Sequence, residues 1–258
     1  MRLLVLLTAL AMPIIAWLSN SGSFGPDNGT ISDRYPTLLV AAGYAFAIWG
    51  LIFVLDLVYA VWQFTGSRRN DVTLLRIAPW ATAGFALTGI WMPLFSMEHF
   101  WLCLLVIFGA TACLVRCALI LSHDRTPQEG QWLWAWLPLS LHAGWLSLAA
   151  FLNLAQVIVA HELLSTTRQL PWSLVLFALA AAMLLALNQR MRGNVDYVVA
   201  AVWALIAVYV KQSGSPLAGS GIAAWTAIAI AIVLVLQTWW LRRRYPGGLL
   251  PNPARAVQ

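Results

Sequence analysis

Charge is what this sequence has least of: 9% of its 258 residues are Asp, Glu, Lys or Arg, where a water-soluble domain carries about 25%. That shortage excludes a soluble globular fold, because 61% hydrophobic residues and a mean hydropathy of +0.79 amount to more apolar surface than a core of this size hides. Cysteine is also scarce, and Cys103, Cys113 and Cys117 share one apolar run, which excludes a disulfide framework. Cys113 and Cys117 fall on one helix face but lack His or carboxylate neighbours at ligand spacing, so they read as packing residues and no metal site is expected. There is no Gly-rich phosphate loop, no His/Glu zinc spacing, no nucleophile elbow and no Ser/His/Asp set on one face, so no catalytic residue is assigned and a non-enzyme is expected. The net charge of +6 and a pI near 9.7 invite a nucleic-acid reading. No polar segment interleaves basic residues with exposed aromatics, and that partner is set aside. Internal repeats and low-complexity tracts are absent.

Long apolar runs are what the sequence has instead. Eight of them, at about 2–18, 38–64, 77–96, 100–121, 131–161, 171–188, 195–211 and 220–241, are long enough for a helix to cross the hydrocarbon core and do not alternate as barrel strands do. A chain in lipid must satisfy its own backbone, so the expected fold is all-α, a polytopic membrane bundle of about eight transmembrane helices. Polar breaks separate the runs, the longest being the Gly/Asn/Asp/Ser-rich loop 19–36. With a cytoplasmic N-terminus, twelve arginines (Arg2, Arg68, Arg69, Arg76, Arg116, Arg125, Arg190, Arg192, Arg242, Arg243, Arg244 and Arg255) fall on or near the inner side, against Arg34, Arg168 and Lys211 outside. This bias predicts an even number of spans with both termini cytoplasmic, in a membrane of the bacterial inner type. The first run also has the pattern of a secretory signal, the alternative reading of that segment. The first five spans hold most of the Pro-interrupted, Trp-bearing helices and the last three are plainer. The expected division is therefore 1–165 as a five-helix core and 166–258 as a three-helix extension with a short cytoplasmic tail.

Of fifteen tryptophans, most lie near span ends, where the membrane interface explains them. Trp49, Trp91, Trp145 and Trp203 sit deeper, where an indole packs against protein or a bound molecule. Three of these stand in recognisable patterns. Trp91-Met-Pro93-Leu-Phe95, Trp145-Leu-Ser-Leu-Ala149-Ala-Phe-Leu152-Asn153, and Trp49-Gly-Leu-Ile-Phe53 followed by Tyr59-Ala-Val-Trp62 resemble, in order, segments of the TspO/MBR family of tryptophan-rich sensory proteins, relatives of the mitochondrial translocator protein. The resemblance covers residues 1 to about 162. Ala41-Ala42 replace the family's paired prolines, Thr88 its third-helix Asn, Pro138 precedes its fifth-helix Pro-Tyr position, and its fourth-helix Asp has no counterpart. These departures mark an extended, remote member.

The resemblance implies a five-helix core whose pocket, beneath the first loop, takes a flat hydrophobic ligand such as a porphyrin, haem or a sterol. Trp49, Trp91, Trp145, Ala149, Leu152 and Asn153 are the ligand-binding residues it implies. No cofactor is required, a tetrapyrrole being a ligand; the partners are the bilayer and a hydrophobic small molecule, with a homodimer left open. Within the spans, Asp56, Arg116 and His142 lie at similar depth and form an expected polar cluster, since ionisable groups in lipid are costly and mark function or pairing. A sensor or carrier is the leading reading. The alternative is a secondary transporter that couples protons through that cluster.

Overall fold

The computed structural model describes residues 1–244, which hold nine α-helices and no strand; Arg255 and the tail assigned to the cytoplasm lie outside the described residues. The order is α1 (Arg2–Asn20), the short α2 (Asn28–Arg34), α3 (Ile48–Trp62), α4 (Val72–Ser96), α5 (Phe100–Ser122), α6 (Leu137–Ala160), α7 (Leu170–Arg190), α8 (Val195–Ser213) and α9 (Ser220–Arg244). A 3₁₀ turn at Gly43–Ala47 leads into α3 and a π turn at Trp132–Trp136 leads into α6. Seven helices are long and apolar enough to cross a membrane: α1, α3 with its 3₁₀ turn, α5, α6 with its π turn, α7, α8 and α9. The protein is thus a polytopic helical membrane protein. The remaining long helix, α4, has no charged side chain between Arg76 and Glu98; prolines and small residues such as Gly84, Thr88 and Gly89 lower its hydropathy.

Helix α6, with the π turn before it, is the hub and the most buried of the seven apolar helices. It packs on α3, α5, α7 and α8, while α4 lies between α1 and α5 and α9 joins α7 to α8. Small residues make the α6–α8 approach close: a Cβ on Gly144 would overlap the Tyr197 carbonyl, and Asn194 Nδ2 donates to Ser140 Oγ at 2.8 Å. One buried core runs through all the long helices. The boundary expected near Ser165 falls between α6 and α7, and elements on its two sides share this core.

Two element starts differ from the expected spans. The second was expected as helix from residue 38, but residues 35–42 are irregular, even though Ala41 and Ala42 stand where the related family has prolines. Side chains and backbone from the last helices take their hydrogen bonds. Gln169 accepts from Leu38 N–H and donates to the Pro36 carbonyl, Gln212 donates to the Thr37 and Val40 carbonyls, both at 3.0 Å, and Ala42 N–H reaches the Ala207 carbonyl. The third was expected from residue 77. It begins at Val72, because Asp71 accepts from Leu74 N–H at 2.8 Å and caps the helix.

Candidate functional site

The first loop is held down by two devices. Asp27 caps α2, accepting from the Gly29 and Thr30 amides and, at 2.6 Å, from the Thr30 hydroxyl; these bonds favour the carboxylate and hold its pKa below the ordinary value. At the loop's end Glu98 pairs with Arg34 and accepts from Tyr35 O–H at 2.6 Å, which raises the Tyr35 pKa because that bond needs the phenol protonated. Glu98 sits at φ 60 in the α4–α5 corner. A carboxylate at a helix end carries no local sign in the sequence of a partner 64 residues earlier.

Beneath this loop lies a narrow cavity of about 30 Å³. Trp49, Trp91, Trp145, Ala149, Leu152 and Asn153 all line it. Trp91 Nε1 donates to Asn153 Oδ1 at 2.9 Å, tying α4 to α6. Trp49 meets Trp145 edge to face at 5.8 Å and Trp91 at 6.4 Å, so the rings make adjoining walls. Ala149 and Leu152, half-buried on α6, leave room beside Trp145. No charged side chain lines the cavity. The indole N–H groups of Trp49 and Trp145 are buried without a hydrogen-bond partner among the described residues.

Other walls escaped the sequence reading. Phe46, on the 3₁₀ turn, faces Trp145 edge-on at 6.4 Å, and Val40 and Ala41 come from the irregular segment held by Gln169 and Gln212. Ser32 and Gln156, joined at 3.3 Å, form the end nearest the first loop. The segment 38–47 looked like the start of a plain apolar span, so nothing local marked these residues as cavity wall.

The polar cluster is only partly assembled. His142 Nδ1 lies 2.7 Å from Asp56 Oδ2, with both side chains fully buried, and His142 Nε2 lies 3.3 Å from Thr88 Oγ1. Trp49 meets the His142 ring edge-on at 5.7 Å, and Phe85 stacks on it, so the pair lies behind the Trp49 wall and does not itself line the cavity. Arg116 does not join it. It occupies the exposed face of α5 while Leu114, Val115, Cys117 and Ala118 turn inward, because equal depth does not fix the side of the helix. Trp203 is 38% exposed on α8 and packs against protein, edge to face with Tyr44 at 5.5 Å and with its N–H on the Ala45 carbonyl, outside the cavity lining. The three cysteines are free.

A family model described as TSPO-like protein matches residues 2–240, a range that runs past residue 165 into the last three helices as well as through the five long ones before it. No curated protein and no solved structure matches the chain.

Proposed function

The chain belongs to the TSPO-like family, and from that premise we propose that its aromatic cavity binds a flat hydrophobic ligand of the porphyrin, haem or sterol kind, the protein acting as sensor or carrier. One observation carries the reading. Three tryptophans from three helices, with Ala149 and Leu152 beside them, converge on one uncharged slot. Indole faces attract flat π-systems and aliphatic rings, and a small residue one turn from Trp145 sets the slot's width. The slot is tight as it stands, so a ligand of that size enters by displacing wall side chains such as Phe46 rather than by filling a preformed void. Any carboxylates on the ligand stay at the outer mouth, since the walls carry no cation. The test is a titration of detergent-purified protein with protoporphyrin, haem and a sterol, followed by tryptophan fluorescence. Saturable quenching or shift by one of them is expected; no response to any of the three counts against the reading.

The buried Asp56–His142 pair beneath Trp49 favours a second reading, proton-coupled transport of a lipophilic substrate. Its signature is uptake into liposomes driven by a pH gradient and abolished by His142→Ala, where a sensor binds without flux.

A further inference from the structure

The end of the bundle that collects the arginines carries a second site, unrelated to the aromatic cavity. Most arginines there are engaged. Arg2 donates to the Gln63 and Arg68 carbonyls, Arg68 to Thr65, Arg69 to Phe64 and Arg242 to Gly193, Arg243 and Arg244 lie over the Trp239 and Trp240 rings, and Arg192 is also engaged. Four differ: Arg76, Arg116, Arg125 and Arg190 have no ion pair or hydrogen bond among the described residues. All four line one open cleft of about 650 Å³ between α4, α5, the loop after α5, and the last residue of α7. Guanidinium groups repel one another, so four of them around one cleft, each without a partner, call for an anion.

The rest of the lining narrows what the anion is. Asp124, the carboxylate in the wall, already accepts from Thr126 N–H and Gln131 Nε2, and His123 Nδ1 is engaged with the Leu119 carbonyl at 2.8 Å. Leu119 and Ile120 give the cleft an apolar side. Arg116 lies six residues before the end of α5, which at the helical rise puts its backbone about 9 Å inside the helix end. It lines the cleft together with His123, Asp124 and Arg125 at the end of α5, a placement that suits a long cationic chain snorkelling to the interface. Cations at headgroup depth above an apolar wall match an amphiphile whose anion stays at the interface while its chains lie in the bilayer.

We propose that this cleft binds the anionic phosphate headgroup of a membrane phospholipid, with Arg76, Arg116, Arg125 and Arg190 around the phosphate and Leu119 and Ile120 along the upper acyl chain. The proposal is independent of what the aromatic cavity holds. The full-length protein, delipidated in mild detergent, is offered phosphatidylglycerol or phosphatidylcholine of identical chains, and retained lipid is counted by native mass spectrometry. Phosphatidylglycerol is expected to be retained about tenfold over phosphatidylcholine, and Arg116→Gln with Arg190→Gln is expected to remove about tenfold or more of that retention. Arg243→Gln, a cation of the same end that lies over Trp239, should retain it as the unaltered protein does. If the double variant does not fold, Arg125→Gln on the loop reads the same loss at a few-fold. Equal retention of the two lipids, or of phosphatidylglycerol by the unaltered protein and the cleft variants, overturns the proposal. So does inorganic phosphate if, in the absence of lipid, it stabilises the protein as much as phosphatidylglycerol does and displaces that lipid, because the occupant is then a soluble phosphate.

Discussion

Trp145 meets Trp49 and Phe46 edge-on, is buried to 3% exposure, and keeps its N–H unpartnered. Stacking of an aromatic ligand contributes roughly 0.5–1.5 kcal/mol beyond the area buried, so Trp145→Ala should weaken binding at least about tenfold. Ala149→Phe should do comparable harm by filling the slot, while Trp225→Ala, 65% exposed on α9, should change little; equal affinities for the Trp145 and Trp225 variants would remove the slot from consideration. The Asp56–His142 pair makes a separate prediction. Removing either partner strands the other in a dry interior, so each alanine variant should melt lower, and the double variant should lose less than the sum by about 1–2 kcal/mol, near the upper range for side-chain bonds inside membranes. Strict additivity would mean that the two groups do not depend on each other. At this scale depth was legible in the sequence and azimuth was not. Counting residues along the spans levels Asp56 with His142, and the same counting could not tell that Arg116 faces away from them. The lipid-facing and protein-facing sides of these helices are both apolar, so no period tells one from the other.

Between residue and bundle, the element that decides the cavity's shape is the irregular stretch 35–42 with the 3₁₀ turn after it. Helical hydropathy could not reveal it, since Leu38 to Ala42 are as apolar as the helix that follows; the side chains that keep it irregular, Gln169 and Gln212, lie more than 120 residues away. Two bonds from Gln212 hold this wall, each contributing about 0.5–1.5 kcal/mol net. Gln212→Ala should therefore speed amide hydrogen exchange at Val40 to Ala42 by roughly tenfold or more and weaken ligand binding several-fold without unfolding the bundle. Unchanged exchange there would mean that the wall holds itself. The cap of α2 gives a pH-dependent counterpart. The Asp27 carboxyl has its pKa lowered in the folded loop by the Thr30 hydroxyl and amide. Its stabilisation is therefore complete above the unfolded carboxylate pKa of about 3.9 and is lost as pH falls through the lower folded value. Loop 19–36 should become more sensitive to an acid-active protease below about pH 4, and Asp27→Asn, which still caps but does not titrate there, should flatten that dependence.

At the scale of the whole molecule the helices alternate in direction, and the contacts fix which ends lie together. Arg2 at the start of α1 binds the Gln63 carbonyl just past α3, Gln128 beyond α5 binds Asp71 at the start of α4, and Arg242 near the end of α9 binds the Gly193 carbonyl before α8. At the opposite end Arg34 pairs with Glu98 and Lys211 with Asp33. The helical membrane class was legible from composition alone, and the family from three tryptophan motifs. The role of the last three helices was not, because their hold on the cavity wall runs through backbone and glutamine contacts that leave no periodic trace. The charge asymmetry makes the last prediction. Helix α4 has 25 residues, about 37 Å at the helical rise, against a hydrocarbon core of about 30 Å. Its two ends also take part in the contacts of opposite ends of the bundle, through Asp71 at one and the neighbouring Glu98 at the other. Counted with the seven apolar helices it would make eight crossings, an even number that predicts both termini on one side, and the positive-inside rule predicts that the arginine-rich side is the cytoplasmic one. In a bacterial host, alkaline phosphatase fused after Ser165 should be active and fused after Gln258 inactive, while a fluorescent protein at Gln258 should glow. If α4 instead lay along the surface, the crossings would be odd in number, and with the N-terminus inside the phosphatase at Gln258 would be active and the one after Ser165 silent.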